Sequence, residues 1–211
     1  TGTPVARIAH GMVSAVRKKH LGQHFLTNPD TARRIAGFLD GDPGPVIEIG
    51  PGAGILTEAL LSRLDSIHLV EKDESLVAPL KGRFGNRVII HAGDVLQIFP
   101  ELISTVDSAA VVSNLPYNIS SPVTFMLCHT MSRIPEMVLM YQKEVADRIR
   151  KEPGPLHLAV TTWYDVEEMM RLKPGSFSPP PKVDSAVLHF RRRTDFPIAP
   201  EPAFFRFCRL I

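Results

Sequence analysis

The sequence predicts an α/β fold built on a mostly parallel, seven-stranded sheet, and three observations carry that expectation. Short apolar runs rich in β-branched residues alternate with segments of helical periodicity, the pattern of repeated βαβ units. A glycine-rich turn, Gly50-Pro51-Gly52-Ala53-Gly54, stands where the first strand should pass into the first helix. Ligand-type side chains then recur near the ends of the following strands, at Glu71, Asp94 and Asn114, where an open parallel sheet forms its binding crevice.

In chain order, Val46 to Gly50 reads as the first strand, with helical periodicity from Ile55 to Leu64. A second strand is expected from Ile67 to Glu71, a helix from Ser75 to Arg83 and a third strand from Val88 to His91. Ala109 to Ser113 reads as a fourth strand, Pro122 to Met131 as a helix, Met137 to Tyr141 as a fifth strand and Lys143 to Lys151 as a helix. Two late strands, Leu156 to Tyr164 and Val183 to Phe190, flank a turn-rich stretch holding Pro174, Gly175 and Pro179-Pro180-Pro181. After Arg193, Pro197, Pro200 and Pro202 signal a linker, followed by an apolar start from Ala203 to Ile211.

Composition narrows the classes of function. The chain has 211 residues, 44% hydrophobic and 22% charged, enough for one good-sized core. Its 24 Lys+Arg against 22 Asp+Glu leave a net charge of +2, which permits a polyanionic partner without demanding one. The distribution is more telling, because no acid precedes Asp30 whereas Arg7, Arg17, Lys18 and Lys19 do, and Arg191, Arg192 and Arg193 form a second cluster. An arm that touches RNA, a solvated surface and, more faintly, an organellar transit segment all fit the first cluster. Cys128 and Cys208 lie far apart, in no metal-ligand or redox spacing. Apolar runs such as Pro135 to Tyr141 fall far short of the roughly 20 residues that span a bilayer. A cytoplasmic setting, no metal and no membrane partner are expected.

The glycine turn lets backbone pass close to a ligand in front of helix amides. Its third glycine arrives one residue earlier than in the dinucleotide fingerprint, which argues against a nicotinamide cofactor. A carboxylate at Glu71 suits the two hydroxyls of a ribose, and Asp94 is placed to accept from a base amine. The tetrapeptide Asn114-Leu115-Pro116-Tyr117 follows the fourth strand. His91, His129, His157 and His189 lack such context and read as structural or surface residues.

From Asn114 to Pro122 the segment Asn114-Leu115-Pro116-Tyr117-Asn118-Ile119-Ser120-Ser121-Pro122 resembles the ribosomal RNA adenine dimethyltransferases, and specifically their small-subunit branch. The macrolide-resistance relatives usually have Ile at the second position. Lys19-His20-Leu21-Gly22-Gln23-His24-Phe25-Leu26 and Phe177-Ser178-Pro179-Pro180-Pro181-Lys182-Val183-Asp184-Ser185-Ala186-Val187 are similar to the same family, in family order.

The resemblance implies a Rossmann-like class I methyltransferase domain that uses S-adenosyl-L-methionine to dimethylate adenine N6 in small-subunit ribosomal RNA. Gln23, His24, Leu26, Gly50, Gly52, Glu71, Asp94, Val95 and Asn114 match its cofactor contacts, with His24 standing where Asn is often found. Asn114, Leu115, Pro116 and Tyr117 match the catalytic tetrapeptide, and Phe177 the second aromatic wall of the target-base pocket. The implied partner is small-subunit ribosomal RNA or a pre-ribosomal 30S-type particle, met by a monomer. The expected organisation is a basic arm over 1–17, a catalytic domain over 18–193, and over 194–211 a linker with the first helix of a truncated C-terminal helical domain. The junction Glu152-Pro153-Gly154-Pro155-Leu156 is shorter than the family suggests. Two competing readings keep parts of this pattern: an RNA-binding assembly factor with secondary or lost catalysis, and a DNA adenine methyltransferase.

Overall fold

A computed structural model describes residues 24–195. The expected basic arm, Gln23, and the apolar segment 203–211 lie outside the described residues.

The chain enters through a short strand β1 (Phe25–Leu26) and a helix α1 (Pro29–Ala36). Asn28 caps α1 by accepting from the backbone N–H groups of Asp30 and Thr31, and Pro29 occupies its first turn, where a missing N–H costs nothing. The βα alternation then runs through β2 (Val46–Ile49), α2 (Ile55–Leu61), β3 (Ile67–Glu71), α3 (Glu74–Phe84), β4 (Val88–Ala92), α4 (Val95–Ser104), β5 (Ala110–Asn114), α5 (Ser120–His129), β6 (Glu136–Gln142) and α6 (Lys143–Lys151). A helix α7 (Pro155–Thr161) leads into β7 (Tyr164–Leu172), β8 (Phe177–Ser178) and β9 (Ser185–Arg192).

Seven strands form one sheet in the order β4-β3-β2-β5-β6-β9-β7. The first five are parallel, and β9 lies antiparallel between β6 and β7. Alternate residues of the central strands feed two apolar layers: Ile47, Ile49 and Val111 pack with Phe99 and Trp163 on one face. Val46, Ala110 and Val112 pack with Leu60 and Ile35 on the other. The chain leaves β2 toward β3 and β4, then returns to place β5 on the other side of β2. That reversal opens a crevice at the carboxyl ends of β2 and β5. No helix among the described residues is long and apolar enough to cross a membrane.

One expected element is corrected. The segment read as a strand from Leu156 to Tyr164 is instead the helix α7, and the strand begins where that reading ended, at Tyr164. Leu156, Ala159 and Val160 are the buried residues of α7. Their spacing makes one helical face, which packs against α5 and α6. The true strand escaped notice because Asp165, Glu167, Glu168 and Arg171 make it polar, as an unpaired sheet edge must be to resist edge-to-edge association. Helices α1 and α4 were not anticipated; α4 carries Pro100 within its apolar stretch, a residue that normally argues against a helix interior.

Candidate functional site

The carboxyl ends of β2, β3, β4 and β5 converge on a single cleft. At the first of them the backbone of the glycine turn has positive φ at Gly50 (66°) and Gly52 (55°), a region that strains any side-chain-bearing residue. Gly52 is further constrained by crowding, because a Cβ there would sit 2.6 Å from the Phe25 ring. The ring can therefore lie against the turn only while residue 52 is glycine.

Three buried carboxyl groups, Glu48, Glu71 and Asp73, lie toward this end of the sheet. Glu71 ends β3 and accepts the N–H groups of Gly52 at 3.1 Å and Asp73 at 2.8 Å. Burial raises its pKa, and these backbone donors oppose the rise. Each oxygen retains lone-pair capacity for a further donor, and the side chain lines the cleft. Glu48, in the middle of β2, receives the Thr57 hydroxyl at 2.7 Å. Burial pushes its pKa up to about 8, the Thr57 bond opposes this, and the nearby Glu71 charge adds to it.

Asp94 caps α4, accepting from the Leu96 N–H at 3.0 Å and the Lys72 ammonium at 2.7 Å. The Lys72 bond, then the Leu96 N–H, hold its carboxyl below the ordinary range. At the end of β5 the Asn114 amide nitrogen donates to the His24 carbonyl at 2.9 Å. This leaves its carbonyl oxygen as the atom available to a ligand. The Leu115 N–H is held by the Met140 carbonyl at 3.2 Å, and the turn closes through Ile119 N–H to the Pro116 carbonyl at 3.1 Å. The Tyr117 hydroxyl meets the Ser185 hydroxyl at 2.9 Å, and its ring lies beside His24, centroids 5.1 Å apart and tilted by 30°. His24 is itself anchored through Nδ1 to the Pro179 carbonyl at 2.8 Å.

The cleft thus brings together, from widely separated stretches of sequence, Gly50, Gly52, Glu71, Asp94 and Val95 on one side. His24, Asn114, Leu115, Pro116 and Tyr117 complete it. Leu26 and Phe177 are not part of it. They are register partners across the β1–β8 pair, both buried in the apolar layer that holds Val46 and Val112. Lys72, Phe25 and Gly93 line the cleft without having been singled out. Lys72 follows Glu71 directly and Phe25 follows His24, so neighbourhood was the available signal. Ser185 lies in the family-like segment Phe177 to Val187, but its contact with Tyr117 spans 68 residues and has no local signal.

The profile described as Ribosomal RNA adenine dimethylase matches residues 15–211. The chain belongs to the ribosomal RNA adenine dimethylase family. Within this family it is 43% identical over 178 residues to Ribosomal RNA small subunit methyltransferase A of Ralstonia nicotianae, covering 81% of this chain and 63% of the relative. The Pseudomonas aeruginosa protein of the same name is 39% identical over 195 residues, covering 88% of this chain and 72% of the relative. Among solved structures, a dimethyladenosine transferase from Plasmodium falciparum superposes with a TM-score of 0.70 at 29% identity, over 81% of this chain and 64% of that one. The 23S rRNA methyltransferase ErmE superposes with a TM-score of 0.71 at 26% identity, over 88% and 76% of the two chains. The dimethylase-family chain has the Rossmann-like fold of class I methyltransferases, and it spans less than two thirds of the length of the Ralstonia nicotianae relative.

Proposed function

We propose that this chain carries the catalytic domain, residues 18–193, of an S-adenosyl-L-methionine-dependent adenine N6,N6-dimethyltransferase acting on small-subunit ribosomal RNA in the cytoplasm. The observation that carries the reading is the junction of two acceptor sets in one cleft. Glu71 and Asp94 suit a nucleoside, and the Asn114–Tyr117 turn opens beside them.

The residues fit such a cofactor. The Glu71 carboxylate has lone pairs left for the ribose hydroxyls, and Asp94 stands one strand further on for the adenine amine. Ile49, Val70 and Val95 offer apolar walls, and Gly50 and Gly52 leave room for close approach. When bound, S-adenosyl-L-methionine supplies a methyl group already activated on a sulfonium. The protein's task is then positioning and electrostatics.

Adenine N6 is a weak nucleophile because its lone pair is delocalised into the ring. In the first transfer the Asn114 carbonyl oxygen and the Leu115 carbonyl accept hydrogen bonds from its two amine protons, favour a more pyramidal nitrogen and aim its lone pair; one proton leaves to solvent as N6 takes the methyl, and the second transfer starts from the single N–H that remains. The His24 carbonyl matters to this step because it holds the Asn114 amide in one orientation. Pro116 restricts the backbone that carries the Leu115 carbonyl. The Tyr117 ring, anchored by Ser185, offers a stacking surface worth on the order of 1–3 kcal/mol to an extruded base, against an unstacking cost of a few kcal/mol.

The test is transfer of labelled methyl groups to unmethylated small ribosomal subunits and to duplex DNA, with the product mapped at single-residue resolution. Dimethyladenine in the ribosomal RNA alone is expected. Label in DNA would favour the DNA methyltransferase reading, and cofactor binding without transfer to either would favour the assembly-factor reading.

A further inference from the structure

Lys72 and Asp94 face each other across the mouth of the cleft, one after the end of β3 and the other before α4. Their ammonium and carboxylate are 2.7 Å apart, with side chains 58% and 26% exposed. The second Asp94 oxygen is taken by the Leu96 N–H, so each oxygen of this carboxylate already has a donor. Glu71 differs in kind, because its donors are backbone groups that cannot move away.

We infer that Lys72 sets the base selectivity of the cleft: its ammonium sits on one Asp94 oxygen, and a bound base must share that oxygen with it, displace it or be met by it. This rests on the nucleoside reading above. An exposed ion pair contributes little, so the ammonium is easily displaced into the water it already touches. A 6-amino base donates hydrogens and competes with Lys72 for Asp94. A 6-oxo base presents an acceptor, which Asp94 repels and the ammonium attracts. Lys72 therefore weakens a discrimination that Asp94 alone would enforce.

The experiment is calorimetric binding of S-adenosylhomocysteine and of its deaminated counterpart, S-inosylhomocysteine, to the wild-type chain, Lys72→Met and Lys72→Arg. Methionine keeps much of the apolar stem and removes the charge; arginine keeps the charge. Lys72→Met is expected to bind the adenosyl ligand roughly two- to fivefold more tightly and the inosyl ligand more weakly by a similar factor. Lys72→Arg should restore the wild-type ratio of the two affinities. Equal shifts for both ligands, or none, would overturn the inference while leaving the nucleoside reading intact. Failure of the wild-type chain to bind S-adenosylhomocysteine would overturn both.

Discussion

The two ends of the central sheet both carry buried carboxyl groups, and they treat them differently. Within β2 and at the carboxyl end of β3, Glu48 and Glu71 accept from a hydroxyl and from backbone N–H groups, and burial raises both pKa values. At the opposite end, where β6 begins, Glu136 accepts from the Asp40 N–H at 2.8 Å and meets His189 Nε2 at 2.6 Å. Asp40 is gripped through both oxygens by Arg191, at 2.9 and 3.1 Å, and that bond is the main cause of its lowered pKa. That end links its ionisable groups to one another, His189 Nδ1 excepted, and joins α1's following loop to β6 and β9. The other keeps acceptor capacity in reserve beside an open cleft. What sets Glu71 apart is that its spare capacity opens on the cleft, where a ligand can fill it.

If this division is right, a change at the cleft should alter chemistry and a change at the far end should alter stability. The largest effect is expected from Asn114→Ala, which removes the carbonyl aimed at the target amine. Single-turnover methyl transfer should fall on the order of 10²- to 10³-fold, with far smaller changes in cofactor affinity and thermal midpoint. A matching loss of cofactor affinity would place Asn114 in the cofactor site instead. At the far end, Glu136→Ala strands the Asp40 N–H and the His189 ring nitrogen that face it. This should lower stability by roughly 1–3 kcal/mol in a denaturant titration and leave cofactor affinity unchanged. Weakened binding at unchanged stability would break the comparison.

A third effect concerns Glu48, whose carboxyl burial pushes up to about 8 in the folded chain from an ordinary value of 4.5. Between those values the folded state holds a proton that the unfolded state has lost, so stability falls as pH rises through the window and levels off above it. Glu48→Gln retains an acceptor for the Thr57 hydroxyl and cannot titrate. Its thermal midpoint should vary less from pH 5 to 8 and exceed that of the wild type above pH 8, by about 2–4 °C for each kcal/mol recovered. Parallel profiles for the two proteins would show that Glu48 is ionised in the fold.

Much of this architecture was legible in the chain itself. The parallel strands are buried on both faces, so Val46 to Ile49 reads as an apolar run broken only by Glu48 and Ala110 to Val112 as an unbroken one, and the turn between β2 and α2 announces itself through its glycines. Local cues failed where tertiary packing overrode them. Leu156 to Val160 is apolar enough for a strand and becomes a helix because α5 and α6 offer its buried face a partner, while the polar edge strand β7 is a strand only because β9 pairs with it.

The cleft divides along the same line. By itself the sequence determined which residue types stand at each strand end, because the order of Gly50, Glu71, Asp94 and Asn114 follows the βα repeat. Only the tertiary structure decided that β1 pairs with β8, since hydrogen bonds between residues about 150 apart leave no local trace. That pairing carries Leu26 and Phe177 into the core and brings the His24 carbonyl to the Asn114 amide. It likewise took the folded chain to set Lys72 against Asp94 and Ser185 against Tyr117, because side chains on neighbouring strands and loops meet according to register and curvature, which one residue's neighbours in sequence do not specify.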